Sequence, residues 1–346
     1  MVDVAVVGAA GYAGIEAVRL VLGHPEMRLV AATSAADEGR PIAEVYPALT
    51  GATDLAFTAP DAGTVGSLAS VAFLSVPHTA AMALVPDLLL REVTVVDLSA
   101  DFRLKDVEVY ESWYEVEHVI PELLHEAVYG LPELNRAAIP GSRLVACPGC
   151  YPTASLLAAA PAFETGVCAA DQILIDAKSG VSGAGRSPSP GVHFCTVNEN
   201  LAPYKVAGHR HTPEIEQGLT QVAGRDIFVT FTPHLVPMTR GLLVTAYLPL
   251  HEAMTTDEAV TLYAERYADE PFVHVSPAGR MPGTNEVSGS NRAHIGVAVD
   301  ERTGMLIVAC AIDNLIKGSS GQAIQCANIV LGMDETAGLD QPSAVV

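Results

Sequence analysis

The apolar positions fall into unbroken runs in the first part of the chain and into alternating ones later. Residues 2–7, VDVAVV, are a short β-branched run. The glycine-rich stretch Gly8-Ala9-Ala10-Gly11-Tyr12-Ala13-Gly14 follows, and IEAVRLVLG then places apolar residues at helical spacing up to Gly23. That order predicts strand, tight turn and helix. Further apolar strands are expected at 28–33, 71–76 (VAFLSV) and 93–100 (VTVVDLSA), with a helical TAAMALVPDLLL between the last two. Continuous apolar strands separated by helices predict a doubly wound parallel sheet covered on both faces.

Beyond Cys150 the pattern changes. ILIDAKSG (173–180), DIFVTFTPHLV (226–236), GLLVTAYLPL (241–250) and HIGVAVDERTGMLIVACAID (294–313) read as strands, and the last of these contains a hairpin turn at 300–304. They predict a mostly antiparallel α+β domain. A helix from about Ser319 to Leu331 has an apolar face expected to return to the first domain, and the tail from Asp334 to Val346 is expected to fray. The expected organisation is α/β: a Rossmann-like doubly wound domain over 1–149, an α+β second domain over 150–313, and a returning C-terminal helix within 314–346.

Composition narrows the partners. The 346 residues are 49% hydrophobic, enough for a large core, and 40 acidic residues against 19 basic ones give a net charge of -21. A nucleic-acid backbone or an anionic membrane is repelled by that charge. No apolar run approaches the ~18 residues of a membrane span, and Met1 leads into VDVAVVG without the basic region of a secretory signal. A cytoplasmic location is the expectation, with the six cysteines reduced. Apart from one CxxC their spacing is irregular, so neither a disulfide framework nor a metal site is expected.

Two motifs carry chemistry. In the first, a GxxGxxG turn that follows a strand and opens a helix lets the backbone approach a pyrophosphate, which points to Gly8, Ala10, Gly11, Tyr12, Ala13 and Gly14. The cofactor's 2′ position then falls near residues 33–40, where Ser34 and Arg40 suit a 2′-phosphate and Asp37 or Glu38 a bare ribose hydroxyl. The residues by themselves leave NADP and NAD open. The second motif, CPGCYPT (147–153), permits a redox dithiol, a metal half-site or a single nucleophile. Pro152 suits a first helical turn, so Cys150 falls at or near a helix start, where the macrodipole favours a thiolate. The other cysteines lack such a setting. GHRHTPEI (208–215) places two histidines and an arginine at the mouth of another helix and supplies a candidate base, so the chain combines the parts for hydride transfer to a thioester.

Taken together, GAAGYAG, DLSADFRL (97–104), YGLPELNR (129–136), PGCYPT, SGVSGAGR (179–186), GHRHTPEI, FTPHLVPMTRG (231–241) and IDNLIKGSSGQAIQ (312–325) resemble the N-acetyl-gamma-glutamyl-phosphate reductases of arginine biosynthesis. The resemblance runs from about Val4 to Gly332. It implies an aldehyde-dehydrogenase-like second domain, NADP as cofactor, an acyl-phosphate substrate, Cys150 as nucleophile and His209 as acid/base, with His211 the lesser candidate. Cofactor contacts are implied at Ser75, Pro77, His78, Ser179, Gly180, Asn314, Lys317 and Gly318. The substrate's phosphate and carboxylate call for cations, and Arg103, Arg186, Arg210 and Arg240 lie within matching motifs. A homodimer or homotetramer is expected by analogy. The chain departs from the family in two places: Cys147 stands where an asparagine is usual, which raises a Cys147–Cys150 disulfide as a hypothesis, and the arginine that often follows Ser34 is missing. The alternatives are an aminoadipyl-phosphate reductase of lysine biosynthesis and a non-catalytic nucleotide sensor.

Overall fold

Strands β1 (Val2–Val7), β2 (Met27–Ala32), β3 (Val71–Leu74), β4 (Thr94–Asp97), β5 (Val128–Tyr129) and β6 (Leu144–Ala146) form one sheet in the computed structural model, which describes residues 1–343. Every pair is parallel, and the order is β2-β1-β3-β4-β6-β5. β3 and β6 are buried at every position, as strands covered on both faces must be. Helices α1 (Tyr12–Leu22), α2 (Ile42–Val45), α3 (Ala62–Leu68) and α4 (Ala80–Leu90) connect the early strands. From β1 the chain winds one way to β2 and, after it, the other way to β3. The crevice of such a sheet opens where the winding reverses, at the carboxyl ends of β1 and β3.

Two compact units result. One comprises Met1–Pro148 with Ser319–Asp340, and the other Gly149–Gly318 with the segment from Gln341. Within the first, the helix Gly321–Val330 is buried along most of its length, and His24 meets Asn328 at 3.0 Å. A π-helical turn, Ile316–Ser320, precedes this helix. The tail is packed where fraying was expected. Asn328 donates to the carbonyls of Glu335 and Ala337, Glu335 pairs with Arg136 at 2.8 Å, and Leu339 is buried. Residues 344–346 of that tail lie outside the described residues.

In the second unit, β7 (Gln172–Gly180), β8 (Ala202–Pro203), β9 (Phe228–Val236), β10 (Leu242–Pro249), β11 (Val273–Val275), β12 (Ala293–Asp300) and β13 (Met305–Ile312) form a sheet of order β11-β12-β13-β10-β7-β9-β8. Antiparallel pairs predominate, and the long β7–β9 pair is parallel. Its cause is the helix Thr212–Ala223 between them, since parallel neighbours need a crossover. β12 and β13 meet as the expected hairpin, closed through Gly304 at φ 65°. The helix Cys150–Glu164, almost wholly buried, packs against β10 and β13 and leaves the opposite face of the sheet uncovered.

Candidate active site

Cys150 is the first residue of the helix Cys150–Glu164, with Gly149 as N-cap and Pro152 in the first turn. The N-cap glycine has no side chain to cap this end, so Cys150 stands in the first turn, at the positive end of the helix. Two glycines shape the surroundings. A Cβ on Gly318 would come within 2.7 Å of the Cys150 Cβ, and one on Gly149 within 2.4 Å of the His211 Nε2. Both positions therefore exclude side chains, and the His211 ring lies against the turn that presents the nucleophile.

His209 sits beside it in a ring of aromatic groups. Its centroid is 5.5 Å from Tyr151, 5.5 Å from Tyr204, 5.4 Å from Phe231 and 4.8 Å from His211, all edge-on. Burial, reinforced by Lys205 and Arg210, pushes its pKa down to about 4. The ring is therefore neutral at pH 7. The backbone N–H of His211 donates to His209 Nδ1 at 3.1 Å. An amide can only donate, so the neutral ring carries its proton on Nε2. His209 at rest is thus a hydrogen-bond donor at that atom, a refinement of the acid/base role that the resemblance implies.

Three polar groups at this site escaped the sequence reading. Glu214, 1% exposed, accepts the Gly149 N–H at 2.9 Å and ties the N-cap of the nucleophile helix to the start of the helix Thr212–Ala223. Glutamate following Thr-Pro reads as first-turn helix chemistry, and only the fold reveals a partner 65 positions away. Tyr204 donates to the Tyr151 hydroxyl at 3.2 Å, and Tyr151 to the His234 carbonyl at 3.4 Å. Burial raises both phenols, Tyr204 to about 12, so neither ionises near neutral pH.

The segment behind Cys150 holds several of the residues for which the resemblance implies cofactor contacts, and their side chains are buried. Ser179, Asn314 and Lys317 are interior: Asn314 accepts from the Gly241 amide and donates to Ser182, and the Lys317 ammonium lies 5.7 Å from the Phe272 ring with its side chain wholly buried. None of the three presents a side chain at the surface, and Asn314 joins the loops around 180, 240 and 314. Gly180 is hemmed in by the carbonyls of Met238 and Thr239, 2.9 Å from where its Cβ would be. Among the arginines, Arg103 is the most buried. It is 5% exposed and spends its guanidinium on the carbonyls of Cys147 (2.7 Å) and Leu98 (2.8 Å), fixing the chain ahead of the CPGC turn. Arg186 is exposed, Arg210 is half-buried, and Arg240, half-buried, lies 3.4 Å from Asp313.

The glycine turn of the first unit fits a pyrophosphate. Gly8 has φ 79° and approaches the Ser75 carbonyl so closely that a Cβ would stand 2.3 Å from it. Gly14 lies equally close to the Gly8 carbonyl, and Gly11 caps α1 with no side chain in front of the helix N-terminus. Ala10, Tyr12 and Ala13 complete this turn. Ser75, Pro77 and His78 follow β3, on the other side of the crevice, and His78 accepts the Ala100 N–H at 3.3 Å. Cys147 is wholly buried in this unit, where its thiol hydrogen-bonds that of Cys326.

Residues 3–142 match the model of the semialdehyde dehydrogenase NAD binding domain, and residues 150–314 that of the semialdehyde dehydrogenase dimerisation domain. A protein of Symbiobacterium thermophilum named N-acetyl-gamma-glutamyl-phosphate reductase is 52% identical over 98% of this chain and 97% of its own. The chain belongs to the N-acetyl-gamma-glutamyl-phosphate reductase family. Its relative from Heliobacterium modesticaldum, with the same name, is 50% identical over 98% of each chain. Aspartate semialdehyde dehydrogenase II of Vibrio cholerae shares the fold with a TM-score of 0.73 at 16% identity, over 96% of this chain and 99% of that one. Among the described residues no helix is long and apolar enough to cross a membrane, and no group of side chains is placed to hold a metal ion.

Proposed function

We infer that this chain reduces N-acetyl-gamma-glutamyl phosphate to N-acetylglutamate 5-semialdehyde and phosphate, with NADPH, in the cytoplasm as a step of arginine biosynthesis. The observation that carries the chemistry is Cys150 at the start of a buried helix, in a site with a buried, neutral His209. The Cys150 sulfur bonds to the γ-carbonyl carbon, the bond from that carbon to the phosphate oxygen breaks, and phosphate departs with the electron pair and the thiol's proton. A thioester on Cys150 remains. Bound NADPH supplies the hydride that reduces it, with Gly8, Gly11 and Gly14 lining the place for its pyrophosphate. The resulting oxyanion collapses to the aldehyde and expels the sulfur, which recovers a proton from water. His209 donates from Nε2 to the oxyanion in both halves. His211 relays the thiol's proton to the departing phosphate, a role favoured by its ring lying against Gly149. Arg186, Arg210 and Arg240 are the cations for the substrate's phosphate and carboxylate.

The reverse reaction tests this without the labile acyl phosphate. N-acetylglutamate semialdehyde with NADP is expected to give absorbance at 340 nm only when inorganic phosphate is added. Reduction of NADP without phosphate, or activity on the aminoadipate analogue alone, would contradict it. We further propose a homodimer or homotetramer formed through the uncovered face of the second sheet. Ile307, Tyr247, Leu174 and Thr230 form a row across four strands there, and Leu174 and Phe228 are more than half exposed. Sedimentation equilibrium should return a multiple of the chain mass, and a monomer at micromolar concentration would reject the interface.

A further inference from the structure

We propose that Arg40 recognises the 2′-phosphate of NADP(H) and that Glu44 competes with that phosphate for it, so that this acid sets how strongly the enzyme prefers NADPH to NADH. The proposal rests on the cofactor reading above and concerns its specificity. In sheets of this type the adenosine ribose is recognised just beyond β2, beside the first glycine turn. The segment 33–46 is tethered to that turn at two points. Gly8 donates to the Thr33 hydroxyl at 3.1 Å, and the Tyr46 hydroxyl donates to the Ala10 carbonyl at 2.6 Å.

Between these tethers lies a small charge cluster. Asp37 is 7% exposed, and its two oxygens accept from Arg40 Nη1 at 2.8 Å and from the Ser34 hydroxyl at 3.3 Å. An aspartate so engaged is poorly placed to take a bare ribose hydroxyl, the use that an acid near this strand end has in NAD enzymes. The Arg40 backbone is bonded on both sides, its N–H to Asp37 and its carbonyl to Phe57, which fixes where the guanidinium starts. The side chain is about half exposed, and its Nε and Nη2 both contact one Glu44 oxygen, at 3.1 and 3.0 Å. Glu44 is more exposed still. Arg40 is thus held on one edge by a buried acid and on the other by a solvated one. An incoming phosphate, carrying close to two negative charges, exchanges with the weaker contact, since exposed ion pairs contribute little. Asp37 keeps the guanidinium in place while Glu44 yields.

Fluorescence titration of NADPH and of NADH into the full-length protein, with thermal melting as a check of folding, separates the roles. Glu44→Gln removes the competing charge and should tighten NADPH about two- to fivefold, the scale of an exposed pair, with NADH unchanged. Arg40→Met should weaken NADPH by about tenfold to a hundredfold, the scale of charge-assisted hydrogen bonds, and bring the two cofactors to similar affinity. Raising the salt concentration should erode the effect of Glu44→Gln. An unchanged NADPH/NADH ratio in Arg40→Met, or a Glu44→Gln protein that weakens NADPH or shifts both cofactors alike, overturns the proposal while leaving the reductase reading intact. A wild-type protein that binds neither dinucleotide overturns both.

Discussion

Cys150→Ser is expected to abolish phosphate-dependent turnover, by roughly 10⁴-fold or more, the scale seen when an enzyme loses its nucleophile. The serine hydroxyl fills nearly the same space, so the close packing against Gly318 is undisturbed and the helix Cys150–Glu164 keeps its start. What is lost is acidity. A thiol is intrinsically a far stronger acid and softer nucleophile than an alcohol in the same place. NADPH affinity and melting temperature should therefore match the wild type. A variant within tenfold of wild-type kcat would mean that another group attacks the acyl phosphate. Cys147 is a poor replacement, since the hydrogen bond with Cys326, together with burial, pushes its thiol well above the usual range.

The parallel sheet was legible because a strand covered on both faces needs no polar alternation, and β3 and β6 have none. Gly8 and Gly14 were legible for a related reason, as both positions forbid a Cβ. Pro152 marked the helix that begins at Cys150. Interactions between residues distant in the chain were not visible. Nothing near Glu214 announces that it will reach Gly149, and nothing near Tyr204 announces Tyr151. Charge was the least readable property of all. Lys317 and Arg103 looked like cations on offer to ligands, and the fold uses both internally, one over an aromatic ring and one on main-chain carbonyls. A long cationic side chain can support a loop as readily as bind an anion, and only its burial distinguishes the two.

Replacing His209 separates a donor from a proton carrier. The amide of His211 occupies Nδ1, so the neutral ring can give a hydrogen bond from Nε2 and can take a further proton only at Nδ1, once that bond is broken. His209→Ala should cost about 10²- to 10³-fold in kcat, the scale of one lost oxyanion donor, with a smaller change in KM. His209→Gln places an N–H donor near the position of Nε2 without any ability to carry a proton, and it should recover part of that loss. Equal damage from Gln and Ala would instead make His209 a proton carrier. The same burial has a consequence for stability. Its folded pKa of about 4 lies below the ordinary 6.5, so the unfolded chain binds more protons between those values. Stability from this group is therefore full above pH 6.5 and falls as the pH drops toward 4, by up to about 1.4 kcal/mol per unit. His209→Gln should show a shallower loss across that window in denaturant titrations, and a slope identical to wild type would place the neutral, buried imidazole in doubt.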